Sequence, residues 1–150
     1  MYKHILISTD GSELAQKGVD HGLSLAKELG ARVTIITVTQ RFPVPVHLGI
    51  AGGYIPGPSE MALYQAGQKE VAQKILAAVA TAAKKLGVAA NTVHVPDGYP
   101  AEAIIEVAKA RDCSLIVMAS HGRRGLRKLV LGSQTSEVLA DSAVPVLVVR

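Results

Sequence analysis

The sequence predicts an α/β fold, a three-layer α/β/α sandwich built on a five-stranded parallel sheet. Apolar runs closed by turn residues alternate with stretches of helical period along the whole chain. The first and fourth runs, His4 to Ser8 and Leu115 to Ala119, are apolar almost throughout, as strands buried on both faces are. Right-handed crossovers between five such strands place the helices on both faces of the sheet. A chain of 150 residues is one domain's worth, 1–150, and can bury about 70% of its unfolded surface without a disulfide or metal.

The first strand, His-Ile-Leu-Ile-Ser, ends at Asp10-Gly11-Ser12, a turn signal. Ser12 suits a helix N-cap and Glu13 its first turn. Ala15, Gly18, Val19, Gly22, Ala26 and Leu29 then recur on one helical face, and Gly30 stops the helix. Val33 to Val38 is the second strand. The segment Arg41 to Pro58 holds four of the 7 prolines and four of the 14 glycines, and no periodicity survives there. A loop of that length reads either as a lid or interaction segment or as plain disorder. Helical period returns from Ser59 to Leu86, with Ala72, Ile75, Leu76, Val79, Ala80, Ala83 and Leu86 on one face and Gly87 as the stop. Thr92 to Val95 is the third strand. Pro100 opens a helix with Ile104, Val107 and Ala108 facing inward. Leu115 to Ala119 is the fourth strand, Gln134 to Asp141 a short helix, and Val144 to Val149 the last strand.

Composition removes several function classes. Hydrophobic residues at 49% argue against disorder. Aromatics at 3%, with no Trp, leave nothing to stack single-stranded bases on. A net charge of +4 fits a basic patch for a phosphorylated ligand and is too mild for a nucleic-acid binder. The single cysteine, Cys113, precludes an internal disulfide and reads as a buried structural thiol in a reducing compartment. Neither a signal peptide nor an apolar run long enough for a membrane helix is found, so the expected location is cytoplasmic, without membrane insertion.

In a parallel sheet of this kind ligands bind beyond the carboxyl ends of the strands, where the strand order reverses. That rule directs attention to the ends of strands one and four. At the first, Ser8-Thr9-Asp10-Gly11-Ser12 offers an acidic side chain that could accept bonds from a ribose hydroxyl pair, or simply bond the backbone of its own turn. At the second, Ser120-His121-Gly122-Arg123-Arg124 opens a basic, glycine-bearing loop, and Gly132-Ser133-Gln134-Thr135 starts a helix. A glycine admits close anion approach, and free N–H groups at a helix N-terminus bind phosphate oxygens. The same residues also fit a plain helix start with the arginines on a solvated face. His121 has no matching nucleophile or carboxylate in the local sequence and reads as a ligand-packing or structural histidine rather than a base. The other histidines show no metal spacing, and neither a P-loop nor a Gly-x-Gly-x-x-Gly fingerprint is present.

From end to end the chain resembles the universal stress protein family. The resemblance is carried by Ile5-Leu6-Ile7-Ser8-Thr9-Asp10-Gly11-Ser12, Gly98-Tyr99-Pro100-Ala101-Glu102-Ala103-Ile104, Leu115 to Arg123, Leu131-Gly132-Ser133 and Val144-Pro145-Val146-Leu147-Val148-Val149. The nucleotide-binding branch of that family carries Gly-x2-Gly-x9-Gly-Ser/Thr. Gly122 and Gly132-Ser133 match its second and third elements, and Ala119 stands in place of the first glycine.

The resemblance implies a Rossmann-like sheet of order 3-2-1-4-5 and ATP as ligand. It places Asp10 on the ribose, Ser8 and Thr9 along the pocket, Val38 at the adenine and Met118 and Ala119 under the nucleoside. Gly122, Gly132, Ser133, Gln134 and Thr135 would hold the phosphates. Arg123 and Arg124 are added on charge alone. Magnesium can bridge the phosphates, without a dedicated carboxylate cage. The resemblance further implies a homodimer joined through Val144 to Val149. The residues agree: Pro145 donates no ladder hydrogen bond, which marks an edge, and an apolar edge needs cover. The expected function is ATP binding in stress response or signalling. An interaction module with an empty pocket, a slow ATP hydrolase, and an enzyme of the wider nucleotide-binding superfamily using His121 are the alternatives.

Overall fold

The structure of the protein, a computed structural model, describes residues 1–42, 55–121 and 131–150. Five strands, β1 (His4–Ser8), β2 (Arg32–Val38), β3 (Ala90–Val95), β4 (Leu115–Ala119) and β5 (Val146–Val149), alternate with four helices. The helices are α1 (Glu13–Leu29), α2 (Pro58–Lys85), α3 (Pro100–Ala110) and α4 (Ser133–Asp141). Every pairing is parallel and the order is β3-β2-β1-β4-β5, the Rossmann-like arrangement expected. β1 lies at the centre, with Ile5 opposite both Val33 and Leu115.

Side chains alternate across a strand, so each central strand feeds two cores. Ile5, Ile7, Val33, Ile35, Leu115 and Val117 pack with Val19 and Leu23 of α1 and Leu76 and Val79 of α2. Leu6, Ile36, Ile116 and Met118 face the other way, onto Ile104 and Ala108 of α3 and Val138 of α4. The layering therefore follows from apolar residues at both odd and even positions of β1 and β4. α1 seats so closely that a Cβ built on Gly22 would lie 2.6 Å from Ile7 Cδ1.

Several boundaries differ from the sequence reading. In α1, Leu23 takes a buried place, while Leu29 in the last turn is 47% exposed, where the chain turns back through Gly30 into β2. In α2, Ala72, Leu76, Val79 and Ala83 are buried and Leu86, the C-cap, is exposed. That helix starts on Pro58, whose missing N–H is harmless in a first turn, so Pro58 leaves the expected loop. Within that loop, residues 43–54 lie outside the described residues. The last strand starts at Val146 rather than Val144. Ser142 Oγ takes the Val144 N–H at 3.0 Å and donates to its carbonyl at 2.8 Å, which holds Val144 in a local turn, and Pro145 has no N–H to offer. Cys113 is buried beneath the sheet, and burial pushes its thiol up to about 11, which fits the structural reading.

Candidate functional site

The strand order reverses about β1: the chain passes outward to β2 and β3 on one side and to β4 and β5 on the other. The loops leaving β1 and β4 therefore diverge and open a crevice. There the structure has a cleft of about 460 Å³. Every described site residue expected from the sequence lines it: Ser8, Thr9 and Asp10 after β1, Val38 at the end of β2, Met118, Ala119 and His121 at the end of β4, and Gly132, Ser133, Gln134 and Thr135 at the start of α4. Gly122, Arg123 and Arg124 lie outside the described residues.

At the β1 exit the turn is tied to β2. Thr9 N–H donates to Ile36 O at 3.0 Å, and the Thr37 hydroxyl donates to Thr9 O. Asp10 Oδ1 accepts the Ser12 N–H at 2.9 Å, so the turn-bonding role of this carboxylate is realised. Ser12 Oγ in turn accepts Ala15 N–H and caps α1. β1 pairs with β2 only as far as Ser8 opposite Ile36. Val38, two residues on, has a strand neighbour only on its β3 side, Val95. The backbone edge of Val38 toward β1 therefore faces the cleft, next to the apolar side chains of Ile36 and Met118.

At the β4 exit the peptide is held on both sides: Ser120 N–H donates to Val149 O at 2.8 Å and Gly132 N–H donates to Ser120 O at 2.9 Å. Gly132 is the N-cap of α4 with an ordinary φ of −61°, so conformational licence does not explain this glycine. Space does. A Cβ there would sit 3.3 Å from Ser120 O and 3.5 Å from His121 Cα. A glycine N-cap supplies no side-chain acceptor to the first-turn N–H groups of α4, whose positive end opens on the cleft.

Two hydroxyl and amide groups expected at phosphates are committed elsewhere. Thr135 is buried and its Oγ1 donates to Ala119 O at 3.1 Å. Gln134 Oε1 accepts the Ala101 N–H at 2.9 Å, in the first turn of α3. Their backbone N–H groups, with Ser133, remain at the α4 end of the cleft. Ala119 needs no glycine conformation, because Asp97 and Asp112 are the described non-glycine residues with positive φ.

The sequence reading missed the wall that α2 supplies. Tyr64, Gln68, Val71 and Ile75 line the cleft, with Thr39 and Gln40 from the β2 exit. Gln68 Nε2 donates to Tyr64 Oη at 2.7 Å, and the Tyr64 ring meets Phe42 edge-on at 5.0 Å. The signal was available, since Tyr64 and Gln68 continue the stripe of Ala72 and Leu76 at a spacing of four. They are polar because the helix overhangs the cleft there rather than the sheet. Beside them, Thr39 Oγ1 lies 2.8 Å from His94 Nε2, and burial followed by the Lys69 charge holds His94 below its usual value. Among the described residues, no three His, Cys, Asp or Glu side chains form a metal-sized group, and no helix is long and apolar enough to cross a membrane.

The universal stress protein family model matches residues 1–150. Universal stress protein MJ0531 of Methanocaldococcus jannaschii is 34% identical over 150 residues, covering 100% of this chain and 83% of its own. Universal stress protein YxiE of Bacillus subtilis is 34% identical over 150 residues, covering 100% of both. Among solved structures, MJ0577 of M. jannaschii superposes with a TM-score of 0.79 at 28% identity, over 99% of this chain and 96% of that one. The universal stress protein of Archaeoglobus fulgidus in complex with dAMP shares the fold, with a TM-score of 0.69 at 16% identity over 99% and 98%.

Proposed function

The chain belongs to the universal stress protein family, and from that premise we propose that it binds ATP in the cleft between the β1 and β4 exits. The proposed protein acts as a ligand-dependent homodimer in cytoplasmic stress response or signalling, with residues 1–150 serving as one nucleotide-binding unit. The observation that carries this reading is one cleft with two unlike ends. One end has the open backbone edge of Val38, which shares the cleft with the apolar residues Ile36 and Met118 and would take a purine. The other has the first turn of α4, without a side-chain cap, where Gly132 leaves backbone in place of side chain.

Between them Asp10 would meet the ribose. Asp10 lines the cleft between these ends, and its Oδ1 accepts the Ser12 N–H at the β1 exit. Asp10 is also the single carboxylate among the described lining residues. Magnesium would accordingly be held through the nucleotide's phosphates and not by a protein cage. Gly122, Arg123 and Arg124 complete the phosphate end in this proposal.

Denaturing the purified protein and identifying released small molecules by mass spectrometry tests the reading. Calorimetry of the emptied protein with ATP, AMP, dAMP and adenosine completes the test. ATP is expected in the released fraction and to bind more tightly than AMP, with an affinity that weakens as salt rises. Absence of released nucleotide together with no heat from ATP would establish the interaction-module alternative instead.

A further inference from the structure

Beyond Ala119 come two adjacent polar residues: Ser120, which is buried, and His121, which lines the cleft. Ser120 is 4% exposed, and its Oγ lies 3.1 Å from His121 Nδ1. Its backbone is tied to β5 on one side and to the α4 entry on the other, so the pair is rigidly mounted. His121 is half-buried and lines the cleft. Its Cδ2, the carbon bonded to Nε2, is 3.9 Å from the position a Gly132 Cβ would take. The Cδ2 corner of the ring, with Nε2 as its bonded neighbour, therefore lies beside the start of α4.

A neutral imidazole has one donor and one acceptor nitrogen, and a buried hydroxyl proton left without an acceptor bears its full desolvation cost. Among the described residues His121 Nδ1 is the one hydrogen-bond partner of Ser120 Oγ. Were Nδ1 to donate, the Ser120 proton would be buried with no acceptor among the described residues. A Ser120 hydroxyl that donates to Nδ1 satisfies both groups, and that arrangement puts the ring proton on Nε2.

We infer that Ser120 holds His121 as a fixed Nε2–H donor to the phosphate oxygens received at the α4 N-terminus, and that His121 does not act as a base. The inference rests on the nucleotide reading above and adds two roles to it. His121 is a ligand-positioning residue, and Ser120 positions it. With N–H in place of a lone pair on the cleft side, neutral His121 cannot take a proton from a water attacking a phosphate. The slow-hydrolase alternative loses its only described base candidate at the phosphate end.

Two measurements decide it. Nitrogen-15 NMR of the free protein at mildly alkaline pH, where imidazoles are neutral, reads the tautomer of His121 directly. Nε2–H is expected in wild type and a mixture of tautomers in Ser120→Ala. Nδ1–H in wild type overturns the inference without any variant having to fold.

Calorimetry then compares ATP with adenosine. His121→Phe keeps a ring without a donor and should weaken ATP roughly tenfold or more while leaving adenosine unchanged. His121→Gln, whose amide N–H reaches the Nε2 position, should restore most of the loss. ATP affinity in folded His121→Phe equal to wild type overturns the inference, as does ATP turnover abolished in both His121 variants. A wild type that binds adenosine but not ATP overturns the donor role alone. One that binds neither overturns the nucleotide reading as well, and the tautomer is still read from the free protein.

Discussion

Gly132 and His4 show how single residues carry load at opposite ends of the sheet. Gly132 has a φ any residue could adopt, but its Cβ position is 3.3 Å from a backbone carbonyl that cannot step aside. Gly132→Val should force the α4 entry away from the β4 exit at a cost of about 1–3 kcal/mol. ATP binding should be lost while the strands stay folded. Urea denaturation with calorimetry checks both parts, and Gly132→Ala should fall between.

At the amino end of β1, His4 is buried, with Nε2 2.8 Å from Thr34 Oγ1. Burial, then the Arg32 charge, lowers its pKa below the ordinary 6.5. The folded ring stays neutral while the unfolded ring takes a proton below 6.5, so stability is full above that pH and falls as pH drops through the window beneath it. Thermal melts between pH ~7.5 and ~5.5 should show the decline. His4→Gln keeps a partner for Thr34 and should flatten it in part. The His94 ring, also lowered, leaves a residual slope of the same sign.

Helices α3 and α4 are coupled through one side chain. α3 begins after Tyr99, which supplies no side-chain cap, and its first turn would leave the Ala101 N–H without a partner. Gln134 Oε1 of α4 meets that N–H at 2.9 Å and acts as a cap delivered from another element. Gln134→Leu should therefore cost about 0.5–2 kcal/mol, the usual worth of an N-cap, although Gln134 is in neither core cluster. The readout is the urea midpoint at unchanged slope. The same bond explains why this residue cannot give its side-chain oxygen side to a ligand while its backbone N–H faces the cleft.

The whole sheet ends in two dissimilar edges. β3 shows exposed Asn91 and Thr92, whereas β5 shows Leu147, 39% exposed, with Val146 and Val148 half-buried. An uncovered apolar edge invites another strand, and a polar one does not. The proposed homodimer therefore joins through β5. Sedimentation at micromolar concentration should give a dimer for wild type. Leu147→Lys, which spares the packed Val146, should give a folded monomer. A monomeric wild type would refute the edge reasoning.

The sequence alone determined the element order, the parallel sheet and most of the two cores. Those depend on local period and on apolar residues at consecutive strand positions, and both are written in the chain. It also pointed to the ends of β1 and β4 as one site, because chain ends of neighbouring parallel strands meet at the switch point, and the family resemblance added Val38 of β2; all of these line one cleft. Only the tertiary structure decided which atoms of those residues are available. From the sequence, Thr135 and Gln134 read as phosphate-holding residues at a helix start. Packing commits one to Ala119 O and the other to α3, because buried polar groups bond the nearest partner of whatever sequence separation. The spacing of four puts Tyr64 and Gln68 on the inner stripe of α2, but that this stripe meets the cleft follows from how α2 crosses over β2 in space.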